Sequence, residues 1–268
     1  MEPSTTGGVQ RRRGRPQPPP PLDPACALFL DIDGTLLDLA ATPSAVIIDP
    51  DVAALLPALY RTLDGACALI TGRTITSVDR LFPGLGLPVA GQHGCERRNA
   101  TGAVVMHAPE AATVARLRAL LAAFAARHDG LQLEDKGQTL ALHYRQAPQL
   151  AAHVHRTLKT TLADEGIPGL SLQPGKCLLE VRPGNRDKGT AIADFLAEPP
   201  FAGRCPVFVG DDRGDEHGFA LVQDLGGFGV KVGSGRTAAR HRLAGVAEVR
   251  RWLGDLVAGG AGSGGDPA

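Results

Sequence analysis

Apolar residues recur along this chain with two different rhythms. Residues 26–30 are apolar at every position and stop at two aspartates, and 67–70 form a second such run ending at Thr71-Gly72-Arg73. Runs that are apolar on both faces suit the strands of a parallel sheet covered by helices. Between the two runs Val52, Leu55, Leu56 and Leu59 fall at helical spacing, which predicts a helix over 51–63. A helix over 75–82 and a short strand over 88–90 continue the series. Near the other end the pattern returns as a helix over 188–196, a strand over 207–209, a helix over 215–222 and a strand over 227–232. Strands alternating with helices predict a doubly wound α/β unit with a parallel sheet.

Between residues 106 and 183 the rhythm changes. An Ala/Leu-rich helix over 110–127 leads to strand-like stretches at 131–134 and 139–143, with Lys136-Gly137 at the turn between them. A second helix over 149–163 and strands near 170–173 and 177–181 complete the block. Helix, hairpin, helix, hairpin is a compact α+β unit, and its crossings lie near Gly/Pro-containing segments such as Arg182-Pro183-Gly184. The expected division is a core of 25–105 and 184–258, an inserted α+β cap of 106–183, and tails at 1–24 and 259–268. The first tail joins Arg11-Arg12-Arg13-Gly14-Arg15 to a run of prolines and the second is Gly-rich, so both read as disordered.

Composition narrows the class. The 268 residues are 43% hydrophobic, enough for real cores, and 28 Lys plus Arg balance 28 Asp plus Glu. No global field favours nucleic acid or an anionic membrane, so any anion recognition is local. No apolar stretch approaches the roughly 20 residues that span a bilayer. The twin arginines of the first tail are not followed by the apolar region an export signal needs. Cys26, Cys67, Cys95, Cys177 and Cys205 are odd in number, show no metal-ligand spacing and sit mostly beside apolar runs. They read as small buried hydrophobes in a reducing, cytoplasmic protein, and a soluble monomer acting on a small molecule is the expectation.

Four features lie just after a buried strand or at a helix start. Asp31 and Asp33 occupy same-face positions at a strand end, where two carboxylates can divide labour between nucleophile and proton donor. Thr71, Gly72 and Arg73 offer a hydroxyl and backbone N–H groups at a helix start, a natural anion cradle. Lys188 stands in the first turn of its helix, against the dipole, which makes sense if it faces a phosphate or a carboxylate. After the strand at 207–209 come Asp211, Asp212, Asp215 and Glu216, an oxygen-only cluster that repels itself unless a cation sits among it and that suits magnesium.

In this order the four features resemble the motifs of the haloacid-dehalogenase-like phosphohydrolases, carried by Asp31-Ile32-Asp33-Gly34-Thr35, Thr71, Lys188 and Gly210-Asp211-Asp212. Within that superfamily the chain is similar to the trehalose-phosphatase family. The residues that carry this second likeness are Gly91 to Arg98, Leu133-Glu134-Asp135-Lys136-Gly137, His143 to Pro148, and Gly175-Lys176-Cys177-Leu178-Leu179-Glu180. The resemblance implies a Rossmann-like hydrolase core in which Asp31 attacks phosphorus while Asp33 protonates the leaving sugar oxygen and later activates water. It implies Mg²⁺ held by the Asp31 carboxylate, the Asp33 backbone carbonyl and Asp211, with Asp212 and Asp215 in support, and phosphoryl oxygens bound by Thr71 and Lys188. It also implies that Glu134, Lys136 and Glu180 of the cap bind the hydroxyls of trehalose 6-phosphate, with Arg145, Lys176, His93 and Arg97 as further candidates. One departure is Gly214, where similar sequences carry threonine. A phosphatase for another sugar phosphate such as sucrose 6-phosphate is the alternative, and a non-catalytic sugar-phosphate sensor is a second. The cap acids argue against the first, and the intact Asp31, Asp33, Lys188 and Asp211 argue against the second.

Overall fold

The computed structural model describes residues 17–39, 48–107, 110–164, 169–175 and 177–261. The chain opens with β1 (Ala27–Leu30), α1 (Pro50–Thr62), β2 (Cys67–Ile70), α2 (Ile75–Leu81), β3 (Val89–Gly91), β4 (Glu96–Arg98) and β5 (Val104–Met106). The cap follows as α3 (Ala111–Ala125), β6 (Gln132–Asp135), β7 (Leu140–His143), α4 (Ala151–Asp164), β8 (Leu170–Gly175) and β9 (Leu178–Pro183). The core resumes with α5 (Lys188–Leu196), β10 (Pro206–Gly210), α6 (Glu216–Asp224), β11 (Phe228–Val232), β12 (His241–Leu243) and α7 (Val246–Ala261).

Two sheets organise these elements. The larger runs β12-β11-β10-β1-β2-β3-β4-β5 and is parallel from β12 to β3, with β4 and β5 antiparallel at one edge. Its strands divide their side chains between two cores. Leu28, Leu30, Leu69, Val207 and Val209 join Val52, Leu56, Val249 and Leu253 on one face. Phe29, Ala68, Ile70 and Phe208 meet Ile192, Phe195 and Phe219 on the other. That division is why these strands look uniformly apolar in the sequence. From β1 the chain builds outward through β2 and β3, then returns to add β10, β11 and β12 on the opposite side. The strand order therefore reverses between β1 and β10, and crevices outside the carboxyl ends of strands at such a point are where open α/β sheets bind ligands.

The smaller sheet, β6-β7-β9-β8, is antiparallel throughout and has a core of its own. Leu140, Leu142, Leu179 and Val181 pack on Leu117, Leu121 and Phe124 of α3 and on Val154 and Leu158 of α4. Both helices cover the same face, which leaves the other face of the sheet to its polar residues.

One carboxylate stands beside both crossings between core and cap. Asp194 of α5 lies 3.7 Å from His107 on the way into the cap and pairs with Arg186 on the way out. Arg186 also donates to the Gly94 carbonyl at 3.0 Å.

Several expectations change. Met106, placed at the start of the cap, belongs to β5 and pairs with Glu96 in the large sheet. Residues 17–24, expected to be disordered, lie against the core: Gln17 bridges His241, the Pro18 and Pro20 carbonyls face His241 and Trp252 at 3.1 and 2.8 Å, and Leu22 is buried. A proline-rich run keeps its carbonyls as acceptors even though it lacks N–H donors, and side-chain donors on β12 and α7 use them. The helix α7 continues through Gly259 to Ala261, into the stretch assigned to the second tail. Cys205 is exposed and Cys177 half-buried, while Cys26, Cys67 and Cys95 are buried as expected, and burial pushes those three thiols up to about 12. Residues 1–16 and 262–268 of the tails lie outside the described residues. Among the described residues no helix is long and apolar enough to cross a membrane.

The docked segment has a measurable consequence. A chain beginning at Ala25 is expected to melt roughly 3–10 °C below one beginning at Gln17, because Leu22 loses its burial and Trp252 its acceptor. Equal melting temperatures by calorimetry would show that the segment adds nothing to the fold.

Candidate active site

At the end of β1 the Asp31 N–H donates to the Val209 carbonyl of β10 at 3.0 Å, which sets the aspartate on the strand-order reversal. The chain then turns tightly. The Ile32 carbonyl accepts from the N–H groups of Thr35, Leu36 and Leu37, and Arg250 of α7 holds the turn from outside through the Leu36 carbonyl at 3.0 Å. Inside the turn the buried Asp31 carboxylate accepts from Lys188 Nζ at 2.8 Å and from the Thr35 hydroxyl at 3.1 Å.

Lys188 is the first residue of α5, and its place is fixed by a reciprocal cap. The Thr190 N–H donates to the Asp187 carboxylate at 2.8 Å, and the Asp187 N–H donates back to the Thr190 hydroxyl at 2.9 Å. The fully buried Asp215 accepts from the same ammonium at 2.6 Å. The sequence-based expectation that Lys188 answers a carboxylate is met by two of them.

Asp31, Asp211 and Asp215 bring carboxylate oxygens within 4.8 Å of one another. Burial pushes Asp31 up to about 7 and Asp215 up to about 8, in both cases against the pull of Lys188, and pushes Asp211 up to about 6 with Asp212 and Asp215 adding to it. Burial works to lower the Lys188 ammonium, yet Asp215 and Asp31 hold it well above its ordinary value. Three acids thus converge on one ammonium, and the group needs protons or a further cation. The residues fit a divalent metal: the donors are oxygen only, and two glycines keep the space clear. A Cβ on Gly34, whose φ is +84°, would stand 2.2 Å from Asp211 Oδ2, and one on Gly210 would stand 2.3 Å from Asp215 Cγ.

Two more of the aspartates named from the sequence, Asp33 for its backbone carbonyl and Asp212 in support, have side chains with partners of their own. The Asp33 side chain is turned to Arg73, which donates to both of its oxygens at 2.6 Å. Asp212 folds its own loop by accepting from the N–H groups of Gly214 and Asp215 at 2.7 and 3.2 Å. The loop is therefore closed by the Gly214 backbone N–H, with no need of a side-chain hydroxyl at that position. Beside Asp33, the buried Thr71 hydroxyl oxygen accepts from the Arg73 N–H at 3.1 Å, which leaves its hydrogen available to an incoming oxyanion.

Opposite these groups stands the polar face of the cap sheet. Glu134, Ala141, Glu180 and Gln173 form one row across β6, β7, β9 and β8, with Arg182 two residues beyond Glu180. Glu180 is buried and accepts from Lys136 Nζ at 3.0 Å and from the Thr139 hydroxyl at 3.1 Å. Burial opposes its ionisation, but Lys136 and His93 hold its carboxyl below the ordinary range. The hydrogen bond from His143, at 2.8 Å, does the same for Glu134.

Core and cap meet at Gln92 and His93, which follow β3 with φ of 47° and 57°. Left-handed backbone costs non-glycine residues about 1–3 kcal/mol each and persists where surroundings over-determine it. Here the Gln92 N–H donates to the Arg73 carbonyl at 2.8 Å and the His93 N–H to the Thr71 carbonyl at 2.9 Å. The imidazole packs on Gly72, where a Cβ would stand 2.8 Å from Nε2, and that nitrogen lies 3.5 Å from Glu180 Oε2. Burial pushes His93 down to about 4, with Lys188 and Arg182 adding and Glu180 opposing.

Not every candidate joins this group. Arg97 of β4 turns to α5, where it pairs with Glu198, lies 4.0 Å from Asp194 and sits 5.0 Å above the Phe195 ring. Arg145 is exposed on the turn after β7, and Lys176 lies outside the described residues. A cavity of about 690 Å³ beside Asp23, Cys26, Arg204 and Cys205 is at the opposite end of β1 from Asp31. Conversely, Thr35, Gln92 and His143, given no role of their own within the motifs that contain them, and Thr139 and Arg182, not singled out at all, lie beside these groups. Arg182 is buried, donates to Gln173 at 3.1 Å, and keeps an Nε with no hydrogen-bond partner among the described residues.

Known proteins resemble both the sequence and the fold. A protein from Escherichia coli (strain K12) called trehalose-6-phosphate phosphatase is 44% identical over 239 residues, covering 87% of each chain. A probable trehalose-phosphate phosphatase from Sinorhizobium fredii is 46% identical over 207 residues, covering 77% of each. Among solved structures, a trehalose-6-phosphate phosphatase related protein superposes with a TM-score of 0.75 at 23% identity, covering 88% of this chain and 98% of that one. The C-terminal domain of a Candida albicans trehalose-6-phosphate phosphatase gives 0.73 at 22% identity over 87% and 92% of the two chains. At these identities the structures speak for the fold. The family model described as trehalose-phosphatase matches residues 29–247, nearly the whole of core and cap, and the chain belongs to that family.

Proposed function

We propose that this chain hydrolyses trehalose 6-phosphate to trehalose and phosphate through a phosphorylated Asp31. The observation that carries the reading is the facing of two groups: Asp31 with Lys188 on the floor, and Glu180 with Lys136 on the roof. One is made for a phosphoryl group, the other for a polyol. All of these residues belong to a single chain, so a monomer suffices.

In the first step an Asp31 oxygen forms a bond to phosphorus and the bond to the sugar oxygen breaks, with a proton from Asp33 going to the departing sugar. In the second, water gives a proton to Asp33 and its oxygen bonds to phosphorus, which releases phosphate and restores Asp31. Lys188 and the Thr71 hydroxyl bear on the phosphoryl oxygens as charge develops there, in surroundings where fixed donors are worth more than in water. Arg73 is bonded to both oxygens of Asp33, so that carboxyl meets the leaving group by giving up one of these bonds. The metal we infer is magnesium, which prefers carboxylate oxygens and water, with Asp31, Asp211 and Asp215 as its holders. When bound it would supply positive charge to the phosphoryl oxygens and offset the negative charge of the acids. On the roof, Glu134, Lys136 and Glu180 present charged acceptors and donors to sugar hydroxyls, and a site built that way discriminates against analogues lacking one.

Outcomes of three kinds are expected, the first of them kinetic. In a panel of sugar phosphates with released phosphate measured, trehalose 6-phosphate turns over fastest, and faster cleavage of sucrose or glucose 6-phosphate would contradict the substrate assignment. In the same assay Asp31→Asn loses roughly 10³-fold or more, as removal of a nucleophile does. Second, magnesium raises the melting temperature and Asp211→Asn removes the rise; a rise that survives in the variant would sink the assignment of Asp211.

The third concerns acid. Folded His93 stays neutral down to about 4, whereas an unfolded imidazole protonates near its ordinary value of about 6.5. Between these values the unfolded chain binds the extra proton, so the fold loses stability as pH falls from about 6.5 towards 4. Urea midpoints of His93→Gln should fall less steeply over that interval than those of the parent, and parallel curves would contradict a buried neutral imidazole.

A further inference from the structure

The hydroxyl of Thr139 has one hydrogen and two acceptors, Gln92 Oε1 in the core and Glu180 Oε1 in the cap, each at 3.1 Å. The orientation of the Gln92 amide is not arbitrary. Its Nε2 donates to Glu96 at 3.1 Å, and the same Glu96 oxygen accepts from the Ile75 N–H at 2.8 Å, so Oε1 is the end turned to the cap. Gln92 and Thr139 are both buried, and Thr139 is the hydroxyl that reaches Gln92 Oε1. Glu180 competes for the same hydrogen.

We propose that Thr139 and Gln92 form a sugar-gated latch: once a sugar hydroxyl donates to Glu180, the Thr139 hydrogen passes to Gln92 and ties the cap to the phosphoryl-binding loop. The inference rests on the substrate reading above and adds positioning residues to it. What makes the seam bond matter is where Gln92 is anchored. Its N–H is held by the Arg73 carbonyl, Arg73 grips Asp33, and the next residue, His93, is held by the Thr71 carbonyl. A bond formed at Thr139 is thereby two residues or fewer from the groups assigned to the leaving group and the phosphoryl oxygens. A small phosphate ester with no sugar leaves Glu180 unoccupied and the latch unset.

The test is steady-state kinetics of Thr139→Val, Gln92→Leu, their double variant and Thr139→Ser, with trehalose 6-phosphate and with p-nitrophenyl phosphate. Loss of one partner of a buried hydrogen bond predicts a roughly 10- to 100-fold lower kcat/KM for trehalose 6-phosphate, carried mainly by kcat, in either single variant. Turnover of p-nitrophenyl phosphate should stay within about twofold, the double variant should be no worse than the singles, and Thr139→Ser should recover most of the loss. Thr139→Val keeps the shape of the side chain, and Thr139→Ser keeps the hydroxyl should the valine variant fold poorly. Equal losses on both substrates, additive losses in the double variant, or no loss at all would overturn the latch. In the last case a parent enzyme that still prefers trehalose 6-phosphate leaves the substrate reading standing, whereas a parent indifferent to the sugar overturns both.

Discussion

One buried ammonium carries the arrangement of this molecule's chemistry. Lys188 lies between Asp31 and Asp215 at 2.8 and 2.6 Å, with Asp211 close by, where the strand order reverses. Removing one partner from such a group leaves uncompensated buried charge, which is costly, so each member depends on the others. The elements around it answer that constraint. A reciprocal cap starts α5 at Lys188, Gly34 and Gly210 clear room for Asp211 and Asp215, and Arg250 holds the turn that follows Asp31.

The cap solves a different problem with the same physics. Its sheet buries leucines and valines under two helices and turns its polar face to the core. The seam between them is narrow and strained: Gln92 and His93 hold left-handed backbone, and their side chains reach Thr139 and Glu180.

Much of this was legible in the sequence, and the pattern of failures has physical causes. β2 and α5 carry the bounds that their apolar spacing predicts, Cys67–Ile70 and Lys188–Leu196. The short strand β4 is hidden because Glu96, Arg97 and Arg98 present no apolar alternation; they are charged residues matched to partners on α2, α5 and neighbouring loops, and β5, three exposed apolar residues at the sheet edge, is too short to stand out. The helix α7 also went unread, its glycines near residue 259 suggesting a tail sooner than the helix ends. Acids after buried strands and a lysine against the helix dipole announce themselves, so Asp31, Asp211, Asp215 and Lys188 could be found. Pairings could not. That Asp33 belongs to Arg73, Glu134 to His143, and Arg97 to the far side of α5 depends on contacts between segments 9 to 101 residues apart, and Gln92 and Thr139 look like ordinary polar residues until the two sheets meet.

Asp194, which stands at both cap crossings, belongs to the same helix as Lys188. His107 comes within 3.7 Å of that carboxylate on the way in, Arg186 pairs with it on the way out, and it lies about two turns along the helix that Lys188 begins. A helix is a stiff rod, so the place where the chain enters and leaves the cap and the place where the ammonium meets its acids keep a fixed separation. Both hang on one element, like a door hung on the post that also carries its lock.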